Sequence, residues 1–131
     1  MTAAASTVVL DGSALLAMLE GEPGADVVEA MLDGSVMSGV NLSEVLQKTI
    51  EHDVDTDGLE YDLEALGVEM RSFDALQARA AAEVWERAPR AGLSLGGHAC
   101  LALASGVSAT AVTADRRWAS LPLDVRVHVV R

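Results

Sequence analysis

Residues 7–10, Thr-Val-Val-Leu, form a short apolar run rich in β-branched side chains, and it stops at Asp11-Gly12-Ser13. A run without polar alternation predicts a strand covered on both faces, as in a parallel sheet, with Asp11 at its carboxyl end. The spacing then becomes helical. Leu15, Leu16, Met18 and Leu19 predict a helix over residues 14–20, closed by the turn Gly21-Glu22-Pro23-Gly24. Val27, Val28, Met31 and Leu32 predict a second helix over 25–32, and a brief strand is expected at 35–38. Asn41 and Glu44 then stand three residues apart, a capping-box pattern that predicts a helix over 41–53.

The second half continues the alternation. Residues 56–66 have helical spacing and end at Gly67, residues 68–70 alternate as a short strand, and an alanine-rich helix runs from 75 to 87 until Pro89 stops it. A further helix is predicted from about 94 to 105 with Leu95, Cys100, Leu101 and Leu103 inward. A second apolar strand, 109–113, again runs into a carboxylate, Ala114-Asp115; a short helical piece at 116–121 and a last strand at 125–130 follow. This order predicts the α/β class: one domain with a central parallel sheet of about five short strands, right-handed crossovers and helices on both faces. Two such strands bring Asp11 and Asp115 to one sheet edge, where open α/β sheets bind ligands. Asp11 has a second reading as a plain helix cap, which Asp and Ser both favour.

Composition adds constraints. At 131 residues the chain is about one domain long, and half of it is apolar. Its aromatic residues are only Trp85, Trp118, Tyr61 and Phe73, so the core must be built from Ala, Val, Leu and Met. No apolar stretch approaches the ~20 residues that cross a membrane, and residues 1–6 lack the basic start and apolar middle of a signal peptide, so a cytoplasmic location is expected. Cys100 is the sole cysteine, which excludes an intrachain disulfide and a cysteine-based zinc cluster; its apolar neighbours predict a buried thiol. Twenty acids against nine bases give a formal charge of −11. Such a surface repels nucleic acid as a whole, so nucleic-acid chemistry would need metal ions and a local arginine patch.

Three histidines and one acidic run have plain readings. His52 is expected at the surface, and His128, alternating with valines, packed or at a sheet edge. His98 sits about 100° round its helix from residue 97 and faces elsewhere. The run Asp53-Val54-Asp55-Thr56-Asp57 lacks the glycine and terminal glutamate of a calcium loop and reads as a solvated turn.

Asp11 and Asp115 are like charges at one edge, and Glu44, in the first turn of a helix that follows a strand, can join them. Such a cluster needs a cation or a proton. Hard oxygen ligands without His or Cys select Mg²⁺ or Mn²⁺ over zinc, and such sites serve phosphodiester cleavage.

The segments 9–17, 21–24, 40–45, 92–96, 99–104 and 113–118 resemble the successive motifs of PIN-domain proteins, and within them those of VapC-type toxins of bacterial toxin–antitoxin pairs. The resemblance covers almost the whole chain. It implies a Mg²⁺- or Mn²⁺-dependent ribonuclease that pairs as a homodimer and is inhibited by a cognate VapB-type antitoxin covering the active site. By motif, Asp11 and Glu44 match the first two family acids and Asp115 the fourth, with Ser13, Asn41 and Thr113 supporting the cleft. The third acid is missing: the family pattern places Asp where this chain has Gly97, followed by His98, and Gly12 stands where Thr or Ser is commoner. Imidazole is a poor Mg²⁺ ligand and Ser94, on the face of position 97, is neutral, so neither replaces the lost acid. The resemblance therefore leaves two outcomes open, a weakened enzyme and an inactive module that still binds antitoxin. A receiver-like domain, which also gathers carboxylates at strand ends, needs a lysine after its last strand, and the sole lysine is Lys48.

Overall fold

Val9 and Leu10 send their side chains into different apolar clusters, one on each face of a sheet, and this alternation organises the domain. The computed structural model describes residues 7–131, so the expectation about a leader in residues 1–6 lies outside the described residues. In chain order the elements are β1 (Val8–Leu10), α1 (Gly12–Leu19), α2 (Ala25–Ala30), β2 (Val36–Ser38), α3 (Gly39–Glu51), α4 (Leu59–Ala65), β3 (Glu69–Arg71), α5 (Ala75–Arg87), α6 (Leu95–Gly106), β4 (Thr110–Thr113), a 3₁₀ turn (Arg116–Ser120) and β5 (Val127–Val129).

All strand pairs are parallel, in the order β3-β2-β1-β4-β5. Val9 pairs with Val36 on one side and Ala111 on the other, and Leu10 with Val112. The chain winds outward through β2 and β3, then returns to place β4 on the other side of β1. The winding therefore reverses between β1 and β4, and the carboxyl ends of those two strands frame the crevice where such sheets bind ligands.

Both faces are covered. Val9, Val36 and Ala111 pack with Val84, Cys100, Leu101 and Leu103 of α5 and α6. Leu10, Met37 and Val112 pack with Leu15, Val28, Val45 and Leu63 of α1 to α4. Cys100 is fully buried, and burial pushes its thiol well above its ordinary value, so it serves as a small core residue. No described helix is long and apolar enough to cross a membrane.

Several boundaries differ from the sequence expectation by one to three residues, and three of them have a definite cause. Helix α3 starts two residues early because Ser38 is its cap, its Oγ accepting the Val40 N–H at 3.2 Å. This moves Asn41 into the helix, where it is completely buried. Helix α4 starts at Leu59, since Gly58 takes a φ of 78° and turns the chain there. The β5 ladder is confined to 127–129, framed by the Ala111 N–H to Arg126 O bond at 2.8 Å and the Val130 N–H to Thr113 O bond at 2.9 Å. Leu95, expected inward, is 59% exposed, because the first turn of α6 presents Gly96 and Gly97 to the interior instead.

Gly24 shows how the last strand is held to the rest. It opens α2 with a φ of 96°, and a Cβ there would lie 2.6 Å from the Val130 carbonyl oxygen. Gly24→Ala is expected to destabilise the fold by at least about 1 kcal/mol through left-handed strain alone, with the backbone clash adding to it. Urea unfolding of the variant beside the parent checks this.

Candidate active site

Asp11 leaves β1 in extended conformation and turns its carboxylate over the first turn of α1, where Oδ1 accepts the Ala14 N–H at 2.9 Å. Ser13 Oγ donates to the same oxygen at 2.7 Å and accepts the Ala114 N–H at 3.0 Å. Thr113, fully buried at the end of β4, donates its hydroxyl to Asp11 Oδ2 at 2.7 Å and accepts the Asp115 N–H at 3.0 Å. Asp11 is thus a helix cap and also the centre of a network joining the ends of β1 and β4. Ser13 Oγ also lies 3.0 Å from Oδ2, so both carboxylate oxygens face hydroxyl donors. Burial pushes the Asp11 carboxyl above its ordinary value; the donors from Ala14, Thr113 and Ser13 oppose this, and the charge of Glu44 adds to it.

Glu44 reaches the same place from α3. Asn41 Nδ2 donates to Glu44 Oε1 at 3.3 Å and to the Gly96 carbonyl at 3.0 Å, linking α3 to α6. The Glu44 carboxylate occupies the space that a side chain on Gly96 would fill, since a Cβ there would collide with its oxygens. The seat lies over the first turn of α6, where free amide dipoles favour an anion. Asn41 Oδ1 is buried and has no hydrogen-bond partner among the described residues. Exchanging the amide N and O would set oxygen against two acceptors, so the orientation follows from the network.

Asp115 is held differently. Arg117 grips it in a two-pronged ion pair, Nε to Oδ1 at 3.0 Å and Nη2 to Oδ2 at 2.7 Å, and the Arg117 N–H also donates to Oδ1 at 3.0 Å. Arg117 thereby holds the Asp115 carboxyl below its ordinary value.

Asp11, Glu44 and Asp115 line one cavity of about 200 Å³, together with Ser13, Asn41 and Gly97. Thr113 lies behind it, bonded to Asp11. Leu93 and Trp118 close over position 97, where a Cβ would sit 3.3 Å from Leu93 Cβ and 3.4 Å from Trp118 Cζ2. Ser94 Oγ accepts the Gly97 N–H at 3.2 Å, so α6 keeps one half of its cap without an acid at position 97. A side chain at Gly12 would meet Glu44 and Asn41 only at ordinary contact distance. His52 is exposed and paired with Glu20, and His128 is exposed on the edge strand β5.

The donor set suits a hard divalent cation in kind: two carboxylates, a third at the rim and an unpartnered amide oxygen. It falls short in number. Among the described residues, no three His, Cys, Asp or Glu side chains stand close enough to hold one ion together. Gly97 leaves one side of the cavity without an acid, and Arg117 engages Asp115. Sequence reasoning missed Gly96 and Arg117. Arg117 was within reach as a base two residues from a strand-end acid, whereas the Gly96 seat depends on a contact across more than fifty residues.

An acid-lined crevice at the switch point of a five-stranded parallel sheet defines a class, the small α/β domains that work with carboxylates at strand ends. The PIN domain model matches residues 8–123, and the chain belongs to the PIN domain family. Solved structures agree in fold. A toxin–antitoxin complex from Klebsiella pneumoniae matches with a TM-score of 0.75 at 16% identity, covering 95% of this chain and 98% of that one. DNA-bound VapBC from Salmonella typhimurium gives 0.72 at 13% identity, covering 97% and 100%. A member of the VapBC family from Mycobacterium tuberculosis gives 0.60 at 22%, covering 97% and 99%. No curated protein matches the sequence.

The raised Asp11 value sets a pH dependence. An acid whose folded value lies above its unfolded one subtracts stability once ionised, so the contribution of Asp11 to stability falls as pH climbs from the unfolded value, near 3.8, through the folded one. In EDTA, Asp11→Asn should therefore melt above the parent at pH 7, and the gap should close as pH falls toward 4. An Asn variant that melts below the parent at pH 7 would contradict this.

Proposed function

We propose that this chain is a VapC-like toxin: a divalent-metal-dependent ribonuclease, weakened by glycine at position 97 and restrained by a cognate antitoxin. The observation that carries the reading is the gathering of Asp11, Glu44 and Asp115 around one cavity at the β1/β4 crevice of a PIN domain. The likeness to toxin–antitoxin complexes from several bacteria supports the antitoxin, and pairing into a homodimer belongs to the same reading.

Asp11 and Glu44 would hold Mg²⁺ or Mn²⁺, with Asp115 joining when its carboxylate turns from Arg117. When bound, the ion would ease deprotonation of water and offset charge developing on the scissile phosphate. The residues around it have definite tasks. Ser13 and Thr113 fix the orientation in which the Asp11 carboxylate would meet the ion. Asn41 and the open face of Gly96 fix Glu44. The antitoxin would approach this cavity with a cationic side chain, the natural guest for two unpaired carboxylates. Arg117 already supplies such a group to Asp115 from within the chain, and this favours a second reading, an antitoxin-binding module without turnover.

RNA cleavage in Mn²⁺ separates the two readings. The ribonuclease should cleave slowly, lose cleavage in EDTA and in Asp11→Ala, and gain from Gly97→Asp, which restores an acid beside the cavity if Leu93, only partly buried, yields a few tenths of an ångström. Absence of cleavage by both parent and Gly97→Asp would leave the binding module.

Gly96→Ala probes the Glu44 seat. The obstructed atoms are the far end of a flexible side chain and alanine is the better helix former by about 1 kcal/mol, so the variant should fold as stably as the parent or more so. Its Mn²⁺ affinity should nevertheless fall about 10- to 100-fold, the usual effect of disturbing a ligand's support. Calorimetric titration with Mn²⁺ beside a thermal melt reads both quantities.

A further inference from the structure

Five of the nine basic residues line two grooves that meet at Arg117. One, of about 520 Å³, carries Arg116, Arg117 and Arg131 beside Ser13 and Asp115. The other, of about 430 Å³, carries Arg87, Arg90 and Arg117 against apolar walls of Pro89, Leu121 and Pro122. The first shares Ser13, Asp115 and Arg117 with the acid-lined cavity, and the second adjoins it at Arg117. Arg117 borders all three spaces, and the loop between α5 and α6 lines the second groove with residues 88–91 and the cavity with Gly92 and Leu93.

Within the strip the arginines are not equally engaged. Arg117 pairs with Asp115 and Arg131 with Glu22, while Arg116 donates to the Arg131 carbonyl at 3.1 Å. Arg87 and Arg90 are exposed and have no carboxylate within 4.0 Å among the described residues. In a chain with twenty acids against nine bases, these two guanidinium groups stay free to meet an anionic guest. The strip thus offers a polyanion local attraction against the repulsion of the chain as a whole.

Resting on the ribonuclease reading, we infer that this strip is the RNA track: a single strand reaches the cavity past the α5–α6 loop, its phosphates on Arg87 and Arg90 and its bases against the wall of Pro89, Leu121 and Pro122. Arg117 stands at the junction, where the phosphate chain passes from the strip to the acids. The groove's make-up, cations alternating with an apolar wall, suits a strand that offers charge and flat base faces by turns.

The test is binding of a labelled oligouridine of about 12 nucleotides in EDTA, across a salt series, to the parent and to Arg87→Gln/Arg90→Gln. Neither side chain belongs to the catalytic cavity, and both are exposed, so a thermal melt should coincide with the parent's. The parent should bind with a clear salt dependence. The variant should bind about 10-fold more weakly near 0.1 M salt, and its log–log salt slope should be shallower by about 1.4, or 0.7 for each lost phosphate contact to a single strand. Equal slopes and affinities would overturn the track. So would a parent that binds no RNA in EDTA, or a variant that keeps its RNA affinity and loses only antitoxin binding. Cleavage in Mn²⁺ is measured alongside: a parent that cleaves RNA while the slopes coincide leaves the ribonuclease reading standing and removes only the track, whereas loss of both binding and cleavage in the parent removes the reading itself.

Discussion

The buried carboxylate of Asp11 is the constraint on which the rest of the domain depends. A charge at 6% exposure is costly unless its oxygens are satisfied, and every partner that satisfies it comes from a defined element: Ala14 and Ser13 from α1, Thr113 from the end of β4. Meeting that requirement fixes the start of α1 and the level of β4 against β1. The same two hydroxyls are in turn held by the Ala114 and Asp115 amides, so the segment after β4 is anchored before it turns into the 3₁₀ piece. Stability and chemistry are in tension at this point. The network reduces the cost of the charge without cancelling it, because burial still raises the carboxyl above its ordinary value.

The three acids are held by three kinds of support. Asp11 depends on hydroxyls and a helix amide, Glu44 on an asparagine and an absent side chain, and Asp115 on a guanidinium. These supports respond differently to change. Hydroxyls can turn to serve a new partner, a missing side chain can only be filled, and the Arg117 ion pair has to be exchanged for another charge. The crevice is therefore stiff around Asp11 and replaceable in its interactions around Asp115.

Much of this was legible in the sequence where local patterns are also tertiary facts. Val9 and Leu10 must be covered on both faces, so the parallel sheet, and with it the common edge for Asp11 and Asp115, followed from the apolar run. The misread positions are those where two local signals compete. Ser38 and Asn41 are both good caps, and the earlier one prevails because the strand ends there; Asn41 is then freed to cross to Gly96. Leu95 is apolar, yet it faces solvent because Gly96 and Gly97 provide the close approach to Glu44, Leu93 and Trp118. Helical period says which residues share a face and leaves open which face the neighbours need.

The scarcity of aromatic residues has a spectroscopic consequence. Only two tryptophans are present: Trp118 is 3% exposed and borders the acid cavity, and Trp85 is 55% exposed on α5. Their emission therefore separates by accessibility, since iodide in solution reaches Trp85 and is excluded from Trp118. With Trp85 quenched, the remaining fluorescence arises beside position 97 and within the cavity wall. The protein thus carries its own optical reporter for events at the acids, with no label attached.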